Sequence, residues 1–270
     1  FKLLKPINSL SNIKLVTHQS DVSINMKHLQ YKPECISEWY AINVDVESNY
    51  LYPIPIGLAS SFQEKYLVES NILNINTSKV DKSNLIYINF NPNTNVIHRN
   101  VVLEKFIKKD WAKVDLFNVP IDEYASNIQK SHFVLAPWGN GIDTHRVWES
   151  LYVGSIPITK YHHTFSTSQD LPILFVDDYD QISEELLLKY LENYKLDKFN
   201  LKKLNNSYWS ELINSHKSDN HNYSLNIKAS SIVSSVYIFR YKFKQLVNRY
   251  IKIFIYYLKK LKKLISLVGK

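Results

Sequence analysis

The chain has 270 residues, 45% hydrophobic and 21% charged, a balance that suits a globular protein of one large or two small domains with a sizeable buried core. Its single cysteine, Cys35, excludes an internal disulfide framework and a multi-cysteine metal site, and no uncharged apolar run of roughly 18 residues marks a membrane span. The net charge of +8 is concentrated at one end: 11 of the 33 Lys and Arg lie from Lys228 onward with no acid beyond Asp219, which leaves 22 basic against 25 acidic residues in the body, a net of −3, and so argues against a nucleic-acid-binding body.

The chain opens on Phe1 without a signal-peptide pattern, and the missing Met leads us to expect an upstream segment. Ile13 to Thr17 (IKLVT) reads as a buried strand ending in His18-Gln19-Ser20-Asp21. Glu38 to Asn43 (EWYAIN) has strand composition, and Leu51 to Gly57 (LYPIPIG) is proline-rich enough to be an edge strand or an extended connection. Leu85 to Phe90 (LIYINF) is a strand followed by a turn at Asn91-Pro92-Asn93, and apolar spacing predicts a helix over Val96 to Lys108.

The second half is clearer. Ile121 to Lys130 is expected as a helix with Asp122 near its start, His132 to Ala136 (HFVLA) as a buried strand, Pro137 to Thr144 as a loop, and His145 to Val153 as a helix stopped by Gly154. Ser155 to Thr159 and Ile173 to Val176 read as strands, the second closed by Asp177-Asp178. A helix from Ser183 to Tyr194 has Ser183 as N-cap and Glu184 and Glu185 in its first turn. This alternation predicts an α/β fold with a parallel sheet. Beyond it, Ser231 to Val268 reads as one amphipathic helix whose basic face suits a membrane surface or a partner.

Two of the chain's five glycines, Gly139 and Gly141, sit in the loop PWGNG between a strand and a helix. In open α/β sheets ligands bind at the carboxyl ends of strands, a helix N-terminus suits a phosphate, and glycine lets backbone approach a ligand closely. Arg146 in the first helical turn can clamp a diphosphate, and Glu149 could accept bonds from ribose hydroxyls. The plain alternative is a turn with an Arg–Glu pair that steadies its helix; the pattern is neither GxGxxG nor a P-loop. Asp143 is expected to cap the helix. His162-His163 has a weak claim as a metal pair, since adjacent histidines diverge on a strand and no third has ligand spacing. Trp148 is expected in the core.

Residues 131–158, SHFVLAPWGNGIDTHRVWESLYVGSIPI, resemble the signature of exostosin-like glycosyltransferases and their bacterial and viral relatives. Trp138 departs from that signature, where many relatives carry Arg. Thr17-His18-Gln19-Ser20-Asp21, Trp39 to Asn43, Ile54 to Gly57 and Leu171 to Ile182 are similar to further stretches of those relatives; the tail is not covered. The resemblance implies a GT-B-like fold: two Rossmann-like domains across a cleft, with a reduced acceptor-side domain over residues 1–80, a nucleotide-sugar-binding domain over 81–227, and the basic amphipathic helical tail over 228–270. It implies a donor site of Gly139, Asn140, Gly141, His145, Arg146 and Glu149. Arg146 would neutralise the leaving diphosphate in place of a metal, so no cofactor or metal is expected. Asp21 and His18 are the candidate catalytic bases for an inverting transfer. The partners would be a nucleotide-diphosphate sugar, a glycan or lipid-linked acceptor and, through the tail, the cytoplasmic membrane surface, in a bacterial or viral setting. A non-catalytic nucleotide- or carbohydrate-binding relative is the alternative.

Overall fold

The computed structural model describes residues 1, 11–60, 66–74, 80–116, 118–215 and, in the tail, 236, 239–240, 242–244, 246–248, 250–251 and 253–258. It is an α/β protein built on two parallel sheets. The first holds β1 (Ile13–Thr17), β2 (Ile36–Ala41) and β3 (Leu51–Pro53) in that order, with α1 (Met26–Gln30) between β1 and β2. β1 was expected to be buried. Its residues are mostly half-buried and Val16 is 48% exposed, because β1 pairs with β2 alone and lies at the sheet edge. β3 takes the other edge, where Pro53, lacking an N–H, interrupts no inner ladder.

The second sheet runs β5-β4-β6-β7-β8, all parallel. Its strands are β4 (Asn84–Ile88), β5 (Ala112–Val114), β6 (Ser131–Leu135), β7 (Ile156–Lys160) and β8 (Leu174–Val176). Alternation along β4 and β6 covers both faces: Ile86, Ile88, Phe133 and Leu135 enter one core, Tyr87 and Val134 the other. The crossovers are α3 (Val96–Phe106) between β4 and β5, α4 (Ile121–Gln129) between β5 and β6, and α5 (His145–Tyr152) between β6 and β7. α6 (Glu184–Asn193) follows β8, with Ser183 accepting from the Leu186 N–H as expected. α2 (Glu69–Asn74) links the two sheets, and α7 (Asn206–Asn214) closes the body. The sequence pattern did not mark α1, α2, β5 or α7; α1, α2 and β5 span three to six residues each and are too short to show a period.

The two halves share a core. Tyr40, Ile42, Ile54 and Ile56 of the first pack with Ala136, Val147, Trp148, Leu151 and Phe165 of the second. In the tail, every described residue between 236 and 258 is helical; the remainder of the expected 231–268 helix lies outside the described residues.

Candidate functional site

Because the chain leaves β4, adds β5 on one side and returns to add β6 on the other, the carboxyl ends of β4 and β6 flank the switch point of the sheet. A cavity of about 700 Å³ opens there. Asn89, Asn91 and Thr94 line it from the end of β4, residues 118–121 from beyond β5, and Gly139 to Gly141 and Asp143 to Arg146 from the end of β6. Gln19, Ser20 and Asp21 beyond β1, and Ile56 beyond β3, line it from the first sheet. The carboxyl ends of both sheets thus meet at one cavity.

All six expected donor-site residues line it: Gly139, Asn140, Gly141, His145, Arg146 and Glu149. Of the two expected bases, Asp21 lines it and is exposed, whereas His18 does not; the exposed His18 ring donates from Nε2 to the Pro55 carbonyl at 3.0 Å. Gln19 between them takes a left-handed φ of 58°, which turns the chain toward the cavity after β1.

The loop glycines have a reason the sequence did not disclose. A Cβ on Gly141 would stand 2.9 Å from Asn43 Nδ2, and a Cβ on Gly139 would stand 3.1 Å from an Arg99 nitrogen. Neither takes a positive φ. The two positions are bare because the protein's own side chains press against them. Asn43, fully buried and itself left-handed at φ 54°, accepts the Ile142 and Asp143 N–H groups on Oδ1 and donates to the Ser20 carbonyl. One side chain therefore ties the loop of the second sheet to the Gln19–Asp21 turn of the first.

Asp143 is the second tie, and its expected capping role is corrected. The N-cap of α5 is Thr144, which makes no side-chain cap bond. Asp143 is 3% exposed and accepts the Ile56 N–H at 2.7 Å and the Trp148 indole N–H at 2.8 Å. Burial pushes its carboxyl up to about 7 against the pull of these donors. Trp148, as expected, is core.

Arg99, which the sequence reading missed, is 5% exposed and lines the cavity floor. It donates to the carbonyls of Asn91, Pro137 and Trp138 and to Thr94 Oγ1, while Asn95 donates to the Gly139 carbonyl. Burial, then the nearby Arg146, lower it to about 9. Its sequence signal was an arginine in register with Val96, Val102 and Phe106, the apolar face of α3.

Arg146 differs. It is half-buried, and its Nε is shut off from solvent without a partner among the described residues. Its guanidinium lies 5.6 Å from the Tyr124 ring centre. Burial would depress its ionisation, but Tyr124 and Glu149 outweigh that and raise it, so the charge is secure. Glu149 is 1% exposed; its Oε1 accepts from the Leu67 N–H at 3.0 Å and its Oε2 from the Tyr124 hydroxyl at 2.6 Å. His145 donates from Nδ1 to the Gly57 carbonyl at 2.8 Å, which leaves Nε2 as an acceptor in the neutral ring. The site thus offers a secure positive charge and the N-terminus of α5, both suited to an anion.

His162 lies outside this cavity, 3.0 Å from Asp45 and edge-on to Trp138. Among the described residues no three His, Cys, Asp or Glu side chains converge as metal ligands. No helix among them is long and apolar enough to cross a membrane. No protein-family model matches the chain, and no curated protein matches it.

Proposed function

We propose that the protein is a glycosyltransferase, passing a sugar from a nucleotide-diphosphate donor to a glycan or lipid-linked acceptor of a surface polysaccharide. The observation that carries this reading is Arg146, a charged group that lines a cavity at a helix N-terminus on the switch point of a parallel sheet. The likeness of residues 131–158 to the exostosin-like signature supports it, and the two parallel sheets are compatible with a GT-B arrangement. In this reading the diphosphate sits against Arg146 and the first turn of α5. Asp21, on the facing turn, takes the proton of the acceptor hydroxyl as its oxygen bonds to the anomeric carbon. The bond from that carbon to the diphosphate breaks, and Arg146 balances the charge that leaves, without a metal. Glu149, held by Leu67 and Tyr124, steadies Arg146 and presents a carboxylate edge to the ribose. The enzyme would work at the cytoplasmic face of a membrane, attached peripherally.

The test is thermal stabilisation by UDP, GDP, CMP, dTDP and ADP in EDTA. A nucleotide at 100 times its dissociation constant adds about 2.7 kcal/mol. One nucleotide should stabilise the wild type, and Arg146→Ala should abolish the effect. Asp21→Asn should keep the stabilisation and lose transfer. Stabilisation by none of the five would sink the donor site; stabilisation without turnover under any donor sugar would favour a nucleotide-binding relative that has lost catalysis.

A further inference from the structure

A second cavity, about 420 Å³, adjoins the first. The two share Asp21, Thr94, Gly139 and Asn140. Its outer wall comes from the turn entering α3, residues 93–97, and from Lys242, Leu246, Asn248 and Ile253 of the tail helix. The tail is thus a wall of a space that leads to Asp21.

The same helix carries an apolar stripe that the body leaves uncovered. Phe239, Phe243, Tyr250, Phe254 and Tyr257 recur at three- to seven-residue steps and are 58–69% exposed. Leu246, on that stripe and 49% exposed, also lines the second cavity. Arg240, Lys242 and Lys244 flank the stripe and are exposed. From Lys228 to the end the chain has 11 basic residues and no acid. An aromatic stripe rimmed by unopposed positive charge complements the headgroup layer of an anionic bilayer, where rings reach the acyl boundary and lysines meet phosphates. A second copy of this tail would face the same positive charge, which disfavours pairing between copies.

We propose that the tail helix and the turn at residues 93–97 form a membrane-facing port, through which a lipid-borne acceptor reaches the cleft beside Asp21. This rests on the transferase reading and narrows its acceptor to one carried by the bilayer. The acceptor's apolar chain stays in the membrane under the aromatic stripe. Its polar head enters past Lys242 and Asn93 toward Asp21, while the nucleotide sugar enters the first cavity from water.

The experiment uses the full chain with Cys35→Ser and one environment-sensitive thiol label, at Asn93→Cys beside the port or at Lys198→Cys in the turn after α6. Each protein is mixed with vesicles of phosphatidylcholine alone or with phosphatidylglycerol added. Expected are about tenfold or stronger binding to the anionic vesicles, lost at high salt. The Asn93 label should shift to the blue and the Lys198 label should not. Phe243→Asp with Phe254→Asp should remove both the binding and the shift, while circular dichroism stays that of the wild type. The port is overturned if the anionic vesicles are not preferred. It is overturned equally if both labels shift alike, or if the tail pairs copies into a dimer that ignores vesicles. Nucleotide stabilisation read on the same samples reports the donor site without vesicles, so loss of the port and loss of the transferase reading appear as separate results.

Discussion

On the α3 side of the cleft, Arg99 spends its guanidinium on three carbonyls and a hydroxyl of the loops that frame the cavity. On the α5 side, Arg146 keeps an Nε without a described partner and rests over an aromatic ring. The two sit on one cavity and Arg146 lowers the ionisation of Arg99, yet one is bonded like part of the backbone and the other is held like a tool. The contrast teaches that a buried charge is read by what its donors already hold. Only the group with capacity left can serve a ligand.

The contrast breaks most visibly under truncation. Arg99→Ala leaves buried loop carbonyls unpaired and should cost about 4 kcal/mol in urea denaturation. Arg146→Ala should cost about 1 kcal/mol or less and act on nucleotide binding instead. If the two variants lose equal stability, Arg146 is structural and the distinction falls.

The Asp143 tie gives the next largest effect. Folded, this carboxyl keeps its proton up to about pH 7; unfolded, an aspartate loses it near 4. Between those values the folded state binds more protons, so this group's contribution is complete below about pH 4 and is lost as the pH rises through 7. The slope is at most about 1.4 kcal/mol per unit. Subtracting the urea stabilities of Asp143→Asn from those of the wild type across pH 4 to 8 should isolate it. A difference that grows with pH would show the Ile56 and Trp148 donors winning over burial.

The loop glycines sharpen the comparison, since each meets a different neighbour. Gly141→Ala drives a Cβ against Asn43, two of whose three bonds cross between the sheets, and should cost about 2 kcal/mol. Gly139→Ala meets the end of Arg99 at 3.1 Å and should cost about 1 kcal/mol. Equal stability in both would mean that the loop carries no strain from either side.

Much of this was legible and some was not, for physical reasons. β4, β6, β7 and the α5 boundary could be read because buried parallel strands are apolar runs and Gly154, at φ 76°, stops the helix in the left-handed region. The grouping of Gly139, Arg146 and Glu149 followed from their place between a strand and a helix. What Gly139 and Gly141 are bare for could not be read, because Asn43 and Arg99 reach them across 98 and 40 positions of chain. Asp143 looked like a cap because capping is local, whereas its acceptors are claimed by Ile56, 87 residues away, and by the indole of Trp148. Arg99 was within reach: an arginine in step with Val96, Val102 and Phe106 lies on a core face and needs partners.

The smallest expected effect tests the α5 side alone. The Tyr124 hydroxyl is a 2.6 Å donor to Glu149 Oε2, and its ring lies beside the Arg146 guanidinium. Tyr124→Phe removes the hydroxyl, with its bond to Glu149 and its hydrogen bond with the Arg146 guanidinium, and keeps the ring. Glu149 retains the Leu67 N–H, and its edge lines the cavity, so water can replace the lost donor. The cost in urea should be about 1 kcal/mol. If Arg146 is held chiefly by the ring and by the charge of Glu149, nucleotide stabilisation should survive nearly intact, whereas Tyr124→Leu should weaken it. A Tyr124→Phe variant that folds well yet binds no nucleotide would move the hydroxyl from support to contact, and would make the α5 side as bond-dependent as the α3 side.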